Sequence, residues 1–504
     1  MWQPNNVERE RLDKAERLKA LGVELYPARV ERTHTTQAAI RAFETAPEGT
    51  TVTVTVAGRI RRVNLKGKVA FMHIEDESGR LQLFLRINEL GDEQFQLVRE
   101  KLIDVDDFIQ ASGPLMRTQA GEISVQPHQI RLLAKSLSPL PVIKQQVRPD
   151  GTVVEYGEFT DKETRYRQRY ADLAVNRDVR AVFVKRSRIV QAMRAFLDAE
   201  GMLEVETPIL QPVYGGAAAR PFTTHHNELK QDLYLRISFE LYLKRLIVGG
   251  FDAVYEIGRD FRNEGVSFKH NPEFTMMEFY KAYTDYHGVA DIVERMTQAI
   301  CQQVNGTLEI HYRGHTISLS SPWVRTTMRA AIQAATGIDY LDYPTADALR
   351  SVIHERFGHT FKPQETWGKM VEHLFSHHVE PTLIQPTFVM DYPRDISPFA
   401  KRIQGDDSHV ERFELYIGGM ELGNAFTELN DPLDQAARFE EMARLYRKED
   451  DDATPTDEDY LRAMRYGMPP MGGFGMGVDR LVILLTNAES IRDVLLFPHM
   501  RPEA

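Results

Sequence analysis

The chain has 504 residues, more than one hydrophobic core usually serves, so it should divide into two or more domains. Apolar residues make up 42% of the chain and charged residues 27%, which excludes a collagen-like or largely disordered protein. The net charge of −11 confines any nucleic-acid surface to a local patch. A single cysteine excludes a disulfide framework, and no apolar run reaches the ~20 residues of a membrane span. We therefore expect a cytoplasmic protein with no membrane contact.

An amphipathic helix is predicted within an amino-terminal lead-in, residues 1–48. Between residues 7 and 25, apolar side chains recur every three positions among charged ones, and Gly22 should end the helix. We expect the apolar side of this helix to dock against a neighbouring part of the protein.

Alternating residues then predict a small β-barrel within residues 49–138. Five short strands are expected at residues 51–56, 69–74, 81–85, 107–112 and 122–125. The connecting segment, residues 57–70, carries five basic residues and no acidic one. Such a segment is either a nucleic-acid-binding patch or an ordinary solvated strand face, and both interpretations stay open on charge pattern alone.

Residues 139–160 are rich in proline, glycine and polar residues, which is typical of a linker. A second domain should therefore cover residues 161–504. Apolar residues at helical spacing predict helices over residues 182–200 and 287–304 of this domain.

Charged and aromatic residues share one face of a predicted hairpin, because alternate side chains of a strand point to the same side. The residues on that face are Glu256, Arg262 and Glu264 in the first strand, and Phe274, Glu278 and Tyr280 in the second. A sheet with one wet face would explain the charges. An exposed ring at Phe274 gains little from water, however, so the pattern favours a cleft.

A second predicted hairpin places two carboxylates on one face. If Gly418-Gly419 forms the turn, Tyr416 faces Glu421 and Glu414 faces Gly423. Neighbouring carboxylates repel unless a cation lies between them, and oxygen ligands without cysteine or histidine favour Mg²⁺. We also predict a bulge at Gly423. The residues that this bulge would turn toward the cleft are Asn424, Phe426 and Glu428.

A glycine-rich stretch, residues 471–485, precedes an apolar run. Glycines allow a ligand to approach the backbone closely, and Arg480 at a helix start would add to the attraction for an anion. The stretch indicates a phosphate-binding corner, although glycine-rich segments are more often simple turns.

Together these stretches resemble the class II aminoacyl-tRNA synthetases. Residues 201–210 match the first motif of that class, residues 261–274 the second, and residues 475–480 the third. Further runs that are similar to the lysyl-tRNA synthetases lie at residues 215–227, 240–245, 262–280 and 427–431. Positions 238–239 and 471–472 differ from that family's usual residues.

The resemblance implies an α+β protein: a class II antiparallel sheet with flanking helices, preceded by an OB-type β-barrel that binds the tRNA anticodon. It also implies a homodimer formed through the first motif. The implied reaction activates L-lysine with ATP and transfers it to its tRNA, with Mg²⁺ as cofactor.

The resemblance assigns a role to each candidate residue. The catalytic arginines would be Arg262 and Arg480. The ATP-binding residues would be Arg262, Glu264, His270, Phe274 and Arg480, and the Mg²⁺ ligands would be Glu414 and Glu421. The lysine-binding residues would be Gly216, Glu240, Glu278, Tyr280, Asn424 and Glu428. The anticodon-binding residues would be Arg59, Phe71, Gln82 and Glu122.

Three other functions remain open at this point. A related synthetase for aspartate or asparagine would have the same layout, but an anionic substrate would face Glu428. A noncatalytic nucleic-acid-binding protein could retain the fold. A lysylating enzyme that modifies an elongation factor would resemble the second domain, but it would lack the barrel.

Overall fold

The computed structural model describes residues 2–141, 144–147, 153–156, 159–362, 365–446 and 456–503. The chain divides into two compact units, Met1–Thr160 and Asp161–Ala504. Within the linker expected at residues 139–160, Lys144–Val147 (β7) and Val153–Tyr156 (β8) pair as an antiparallel hairpin. Residues 142–143, 148–152 and 157–158 of that linker lie outside the described residues.

The amino-terminal unit is built on a barrel of short strands. Its strands are β1 (Thr53–Lys66), β2 (Val69–Glu75), β3 (Arg80–Arg86), β4 (Phe108–Arg117), β5 (Ile123–Val125) and β6 (Gln129–Ala134). Strand β1 pairs with both β2 and β4, so the order β1-β2-β3-β5-β4 closes on itself, and β6 adds to β4. The predicted five-stranded barrel is therefore confirmed. The prediction was wrong in treating residues 57–66 as a connection, because they continue β1, and it missed β6.

Among the described residues of this unit, four helices accompany the barrel: α1 (Asn6–Ala20), α2 (Thr36–Thr45), α3 (Ile87–Leu90) and α4 (Asp92–Arg99). Asn5 and Glu8 form a capping box at the start of α1, which satisfies backbone N–H groups that would otherwise lack partners. Leu18 is fully buried in a cluster with Leu102 and Leu132. The predicted amphipathic helix thus docks on its own domain through its apolar side.

The second unit contains a large sheet. Its strands are β9 (Leu203–Glu204), β10 (Leu210–Gln211), β11 (Thr223–His226), β12 (Gln231–Leu235), β13 (Ala253–Phe261), β14 (Glu273–Ala282), β15 (Glu309–Tyr312), β16 (His315–Ser318), β17 (Val324–Thr327), β18 (Thr387–Pro393), β19 (His409–Ile417), β20 (Met420–Thr427) and β21 (Met471–Gly477). Eight of them form one sheet in the order β17-β18-β19-β20-β21-β14-β13-β9. Only the outermost pairs, β17 with β18 and β9 with β13, are parallel. The predicted antiparallel sheet is confirmed at its centre.

Helices flank this sheet on both sides. They are α5 (Lys162–Arg167), α6 (Arg169–Val175), α7 (Arg177–Ala199), α8 (Glu240–Val248), α9 (Tyr286–Asn305), α10 (Met328–Thr336), α11 (Ala346–Phe357), α12 (Trp367–His378), α13 (Pro432–Tyr446), α14 (Glu458–Arg465), α15 (Val478–Thr486) and α16 (Ile491–Val494). The two helices predicted from periodicity correspond to α7 and α9. None of the helices in the described ranges combines the length and apolar character needed to cross a bilayer.

The main core lies between one face of the sheet and α7, α9 and α15. Alternation along the strands sends Phe279, Phe413 and Phe474 into this core. Their strand neighbours, among them Glu278 and Glu414, therefore point to the opposite face. This division leaves the polar face of β14, β20 and β21 free to form a site.

Replacing Lys135 with Met is expected to destabilise the barrel. Lys135 and Asp107 are both fully buried, and Lys135 Nζ lies 2.8 Å from Asp107 Oδ2. The substitution leaves a buried carboxylate without its cation, which costs about 3–5 kcal/mol in the free energy of unfolding. Hydrogen-exchange mass spectrometry should show reduced amide protection in β4 and β6.

Arg131→Met is the matched control, because Arg131 pairs with Glu24 at the surface. This exposed ion pair should contribute less than about 1 kcal/mol. Equal loss of protection in both variants would contradict the importance of the buried pair.

Candidate active site

A cavity of about 520 Å³ opens on the polar face of β14, β20 and β21. All thirteen residues predicted for nucleotide, lysine and metal line it: Gly216, Glu240, Arg262, Glu264, His270, Phe274, Glu278, Tyr280, Glu414, Glu421, Asn424, Glu428 and Arg480. Residues that are more than 200 positions apart in sequence thus meet in one cavity.

One residue of the predicted polar face, Glu256, lies elsewhere. Although it pairs with Glu278 across β13 and β14, its carboxylate accepts hydrogen bonds from Arg236 Nη1 at 2.6 Å and Thr207 Oγ1 at 2.7 Å. Glu256 is buried in this ion pair and is not part of the cavity wall. The alternation of side chains along the strand correctly predicted the face of the sheet on which Glu256 lies. It could not predict that Arg236 would cover Glu256.

The second predicted hairpin joins β19 to β20. Gly418 and Gly419 both have positive φ angles, 65° and 69°, and Tyr416 lies opposite Glu421 as predicted. The next pair is Leu415 with Gly423, which leaves Leu422 as the extra residue of a bulge.

The predicted bulge is therefore present, but its extra residue is Leu422, one position earlier than predicted. Glu414 lies opposite Asn424 rather than Gly423. Leu422 is 1% exposed and packs in the main core, which favours the bulge at that position. As a result Glu414, Glu421 and Asn424 all face the cavity.

The two candidate metal ligands have different surroundings. Glu414 accepts hydrogen bonds from Arg412 Nη2 at 2.6 Å, from Tyr392 OH at 3.0 Å, and from Tyr416 OH. Burial raises the pKa of Glu414 to about 7; Arg412 opposes this rise and the negative charge of Glu421 adds to it.

Glu421 pairs with Arg480, whose Nη1 lies 2.9 Å from Glu421 Oε2. Partial burial acts to raise the pKa of Glu421, but the charge and hydrogen bond of Arg480 outweigh it and hold the pKa below its ordinary value. Arg412 and Arg480 therefore compensate the negative charges of the two carboxylates only in part. The repulsion that remains between Glu414 and Glu421 favours a cation between them.

The glycine-rich stretch is strand β21, at the centre of the sheet, and α15 begins directly after it. Arg480 lies in the first turn of α15, as predicted. A side chain at Gly473 would place its Cβ 2.2 Å from Glu428 Oε1 and 2.3 Å from the Tyr280 ring. Glycine is thus required at position 473 by the close approach of Glu428 and Tyr280, a role that the sequence did not indicate.

The candidate nucleotide residues lie around the open part of the cavity. The Arg262 guanidinium carbon is 5.2 Å from the centre of the Phe274 ring. His270 Nε2 is 3.3 Å from Arg480 Nη2, and Glu264 is exposed. An aromatic ring beside an arginine, with a second arginine in the same cavity, is suited to a base that carries phosphates.

Three buried carboxylates, which we call the acidic pocket, form the inner part of the cavity: Glu240, Glu278 and Glu428. Each is no more than 4% exposed. Glu278 accepts hydrogen bonds from Ser238 Oγ at 2.8 Å and Tyr280 OH at 3.0 Å.

The electrostatics of this pocket are unusual for carboxylates. Burial raises the pKa of Glu278 to about 7, and the charge of Glu240 adds to the rise. Burial likewise raises the pKa of Glu428 to about 8; Lys244 opposes the rise, while Glu240 and Glu278 add to it. An empty pocket of this kind favours protonation or a cationic ligand.

Sequence reasoning missed Lys244, Arg412 and Ser238. Lys244 contacts Glu240 and Glu428, but its spacing of four from Glu240 resembles an ordinary surface pair on a helix. Arg412 and Glu414 are two positions apart in β19, so their side chains lie on the same face of the sheet. This alternation could have identified Arg412. Ser238 was singled out only as a departure from the pattern that the sequence resembles, and its hydroxyl orients Glu278.

The candidate anticodon residues lie on one outer face of the barrel. Phe71 stacks on Phe84, with ring centres 4.9 Å apart. Gln82 Nε2 donates to Glu122 Oε2 at 2.6 Å. Register places Arg59 opposite Glu75, on the side of β2 that also carries Phe71.

The basic segment is partly neutralised. Arg61 lies 3.7 Å from Glu75 and 3.6 Å from Asp106, and Arg59 stacks over Phe108 at 4.3 Å. Arginines near aromatic rings are suited to unpaired bases, so both the charge and the stacking surface are available on this face.

Comparison with known families gives two matches. The family described as "tRNA synthetases class II (D, K and N)" matches residues 161–501. The family described as "OB-fold nucleic acid binding domain" matches residues 54–133, in agreement with the closed barrel.

Similar proteins named lysine-tRNA ligase cover the whole chain. The protein of Roseiflexus castenholzii is 52% identical over 501 residues, 99% of each chain. That of Chloroflexus aurantiacus is 50% identical over 500 residues, 99% of this chain and 98% of the relative. That of Carboxydothermus hydrogenoformans is 49% identical over 505 residues, with the same coverage. The chain therefore belongs to the class II tRNA synthetases of the D, K and N group.

Proposed function

We propose that this protein is a lysine-tRNA ligase, which activates L-lysine with ATP to lysyl-adenylate, releases pyrophosphate, and transfers lysine to the 3′ end of its tRNA. The observation that carries this proposal is the acidic pocket within the cavity of a class II synthetase. A substrate with two ammonium groups fits buried carboxylates, because each cation relieves their repulsion. The names of the similar proteins support the same substrate.

Activation requires the substrate carboxylate to attack the α-phosphorus of ATP. The nucleophile arrives with the substrate, so the protein contributes position and charge. Arg262 would hold the substrate carboxylate and the α-phosphate, and Arg480 would hold the γ-phosphate. A well-placed donor in such a site lowers the barrier by roughly 2.7–4 kcal/mol. Phe274, with Glu264 and His270, would hold the adenosine part of the nucleotide.

Glu414 and Glu421 would hold Mg²⁺. Among the described residues, no three His, Cys, Asp or Glu side chains are arranged to bind a metal. Two carboxylates with hard oxygen donors nonetheless fit Mg²⁺, which proteins usually bind through one or two carboxylates together with substrate phosphates. When bound, the ion would neutralise charge that develops on the phosphates.

The acidic pocket would select lysine. Glu240 and Glu278 would receive the α-ammonium group, with Gly216 beside them, while Glu428, Tyr280 and Asn424 would receive the side chain. A neutral side chain would leave a buried carboxylate without a cation, so isosteres that lack the ε-ammonium should be rejected strongly.

The remaining parts of the proposal concern partners. The barrel face formed by Arg59, Phe71, Gln82 and Glu122 would bind the tRNA anticodon. Leu203, Ile209 and Leu210 are 43–48% exposed and lie in or beside the segment that resembles the first motif, so we propose that they lie in a homodimer interface. The proposed place of action is the cytoplasm.

Pyrophosphate exchange with each of the twenty amino acids tests the function directly. Lysine alone should support exchange, and the protein should then charge bulk tRNA with lysine. Exchange that depends on aspartate or asparagine would contradict the proposal, as would the absence of exchange with every amino acid.

Arg262→Ala should abolish lysine-dependent exchange, because the variant loses the cation that pairs with the substrate carboxylate and the α-phosphate. Removing such a transition-state donor reduces kcat by roughly 100- to 1000-fold. Arg259→Ala is the control, since Arg259 is exposed on β13 and pairs with Glu273 at 3.6 Å. Near-normal exchange in the Arg262 variant would exclude its assigned role.

Glu428→Gln should raise the KM for lysine by roughly 100-fold or more, because a buried ammonium loses its charged partner. The KM for ATP should stay nearly unchanged. Exchange kinetics with each substrate varied in turn provide the measurement. Glu309→Gln, an exposed change on β15, should leave both constants unaltered. A loss confined to ATP would show that Glu428 is not a lysine-binding residue.

Lysine binding should release protons near neutral pH. The pKa values of Glu278 and Glu428 are raised to about 7 and about 8, so the empty pocket holds protons that a bound cation displaces. The affinity for lysine should therefore fall as the pH falls from 8 to 6. Calorimetry in buffers of different ionisation enthalpy measures the protons released, and a value of zero at pH 7 would contradict the raised pKa values.

A further inference from the structure

We propose that Lys244 is a specificity-determining positioning residue: a fixed internal cation that cancels one of the three carboxylates of the acidic pocket, so that the remaining two negative charges match the two ammonium groups of the substrate. This inference rests on the proposed function, because it concerns how the same pocket selects a dicationic amino acid.

The position of Lys244 is determined by α8. That helix begins at Glu240, and Lys244 follows one turn later on the same side. The Lys244 side chain is completely buried, its Nζ donates to Glu240 Oε1 at 2.5 Å, and it also forms an ion pair with Glu428. The ammonium group thus bridges two elements that are distant in sequence.

Aromatic rings restrict the ammonium group further. Lys244 Nζ lies 5.1 Å from the centre of the Phe399 ring and 5.7 Å from that of Tyr280. The titratable groups that act on it are Glu240, Glu428 and Tyr460. Such surroundings stabilise the charged form of the amine, and they leave the side chain little freedom to move.

Lys244 lies behind the carboxylates rather than in the cavity. Glu240 and Glu428 belong to the cavity wall, whereas Lys244 does not. Lys244 therefore neutralises part of the negative charge of the acidic pocket without occupying the space that a substrate would fill.

Glu428 still has acceptor capacity. Glu428 Oε2 is held by the Lys244 ammonium group, whereas Oε1 is buried and, within the described part of the chain, has no hydrogen-bond partner. A buried acceptor without a directed donor is costly. A substrate ammonium group entering from the cavity would satisfy it.

Charge balance gives the functional consequence. Without Lys244, three buried carboxylates would meet two substrate ammonium groups, and one carboxylate would remain without a cation or would take up a proton. With Lys244 present, the cations and carboxylates are equal in number once lysine is bound. The substrate carboxylate is not part of this balance, because Arg262 would hold it.

Lys244→Met should raise the KM for lysine about tenfold or more, since one buried carboxylate loses its cation, while the KM for ATP stays unchanged. Lysine binding at pH 7 should also release more protons than in the unmodified protein, because the empty pocket would hold an additional proton. Arg245→Met is the matched control: Arg245 is the next residue of α8, but it pairs with Asp457 at 2.6 Å and does not line the cavity.

A charge-balanced pair of variants provides a sharper test. Glu240→Gln alone should leave one negative charge for two ammonium groups, whereas Lys244→Met with Glu240→Gln restores two. The double variant should therefore have a lower KM for lysine than Glu240→Gln alone. This comparison also decides the question if Lys244→Met by itself does not fold.

Three outcomes would overturn the inference. The first is a KM for lysine and a proton release in Lys244→Met that match the unmodified protein. The second is tighter lysine binding in Lys244→Met, which would mean that Lys244 competes with the substrate. The third is a double variant with a higher KM for lysine than Glu240→Gln. By contrast, an unmodified protein that shows no lysine-dependent exchange would refute the proposed function instead.

Discussion

The central constraint on this structure is the burial of like charges. Glu240, Glu278 and Glu428 share one pocket in which each is almost completely buried, and ionised carboxylates repel strongly in such surroundings. Lys244 compensates part of this charge, and hydrogen bonds from Ser238 and Tyr280 orient Glu278. The glycine at position 473 of β21 is a consequence of the same constraint, because a side chain there would collide with Glu428.

The sheet makes such a pocket possible by separating its two faces. One face packs against α7, α9 and α15 in a continuous apolar core, which holds the strands in fixed register. The other face presents the charged groups to a cavity. Helices and strands hold side chains more precisely than loops do, and Glu278, Glu414 and Glu421 lie within strands of this sheet.

The candidate metal site also brings two negative charges close together, but each of its carboxylates has an arginine partner of its own. Arg412 and two tyrosines satisfy Glu414, and Arg480 satisfies Glu421. The carboxylates are thus held in place while their mutual repulsion remains. In the barrel, Glu75 and Asp106 compensate Arg61 in a similar way. Each carboxylate proposed to bind lysine or Mg²⁺ is held by a neighbour of opposite charge or by a hydrogen bond.

The sequence alone determined which residues share a face, because periodicity within a strand fixes the direction of each side chain. It also predicted the barrel, the two-residue turn at Gly418-Gly419 and the change of parity after it. Only the tertiary structure decided which partner meets each side chain. Strand parity could not show that Arg236 covers Glu256, that Leu422 rather than Gly423 is the bulged residue, or that Lys244 is buried between two carboxylates. The reason is physical: contacts between distant elements depend on packing, and local periodicity carries no information about them.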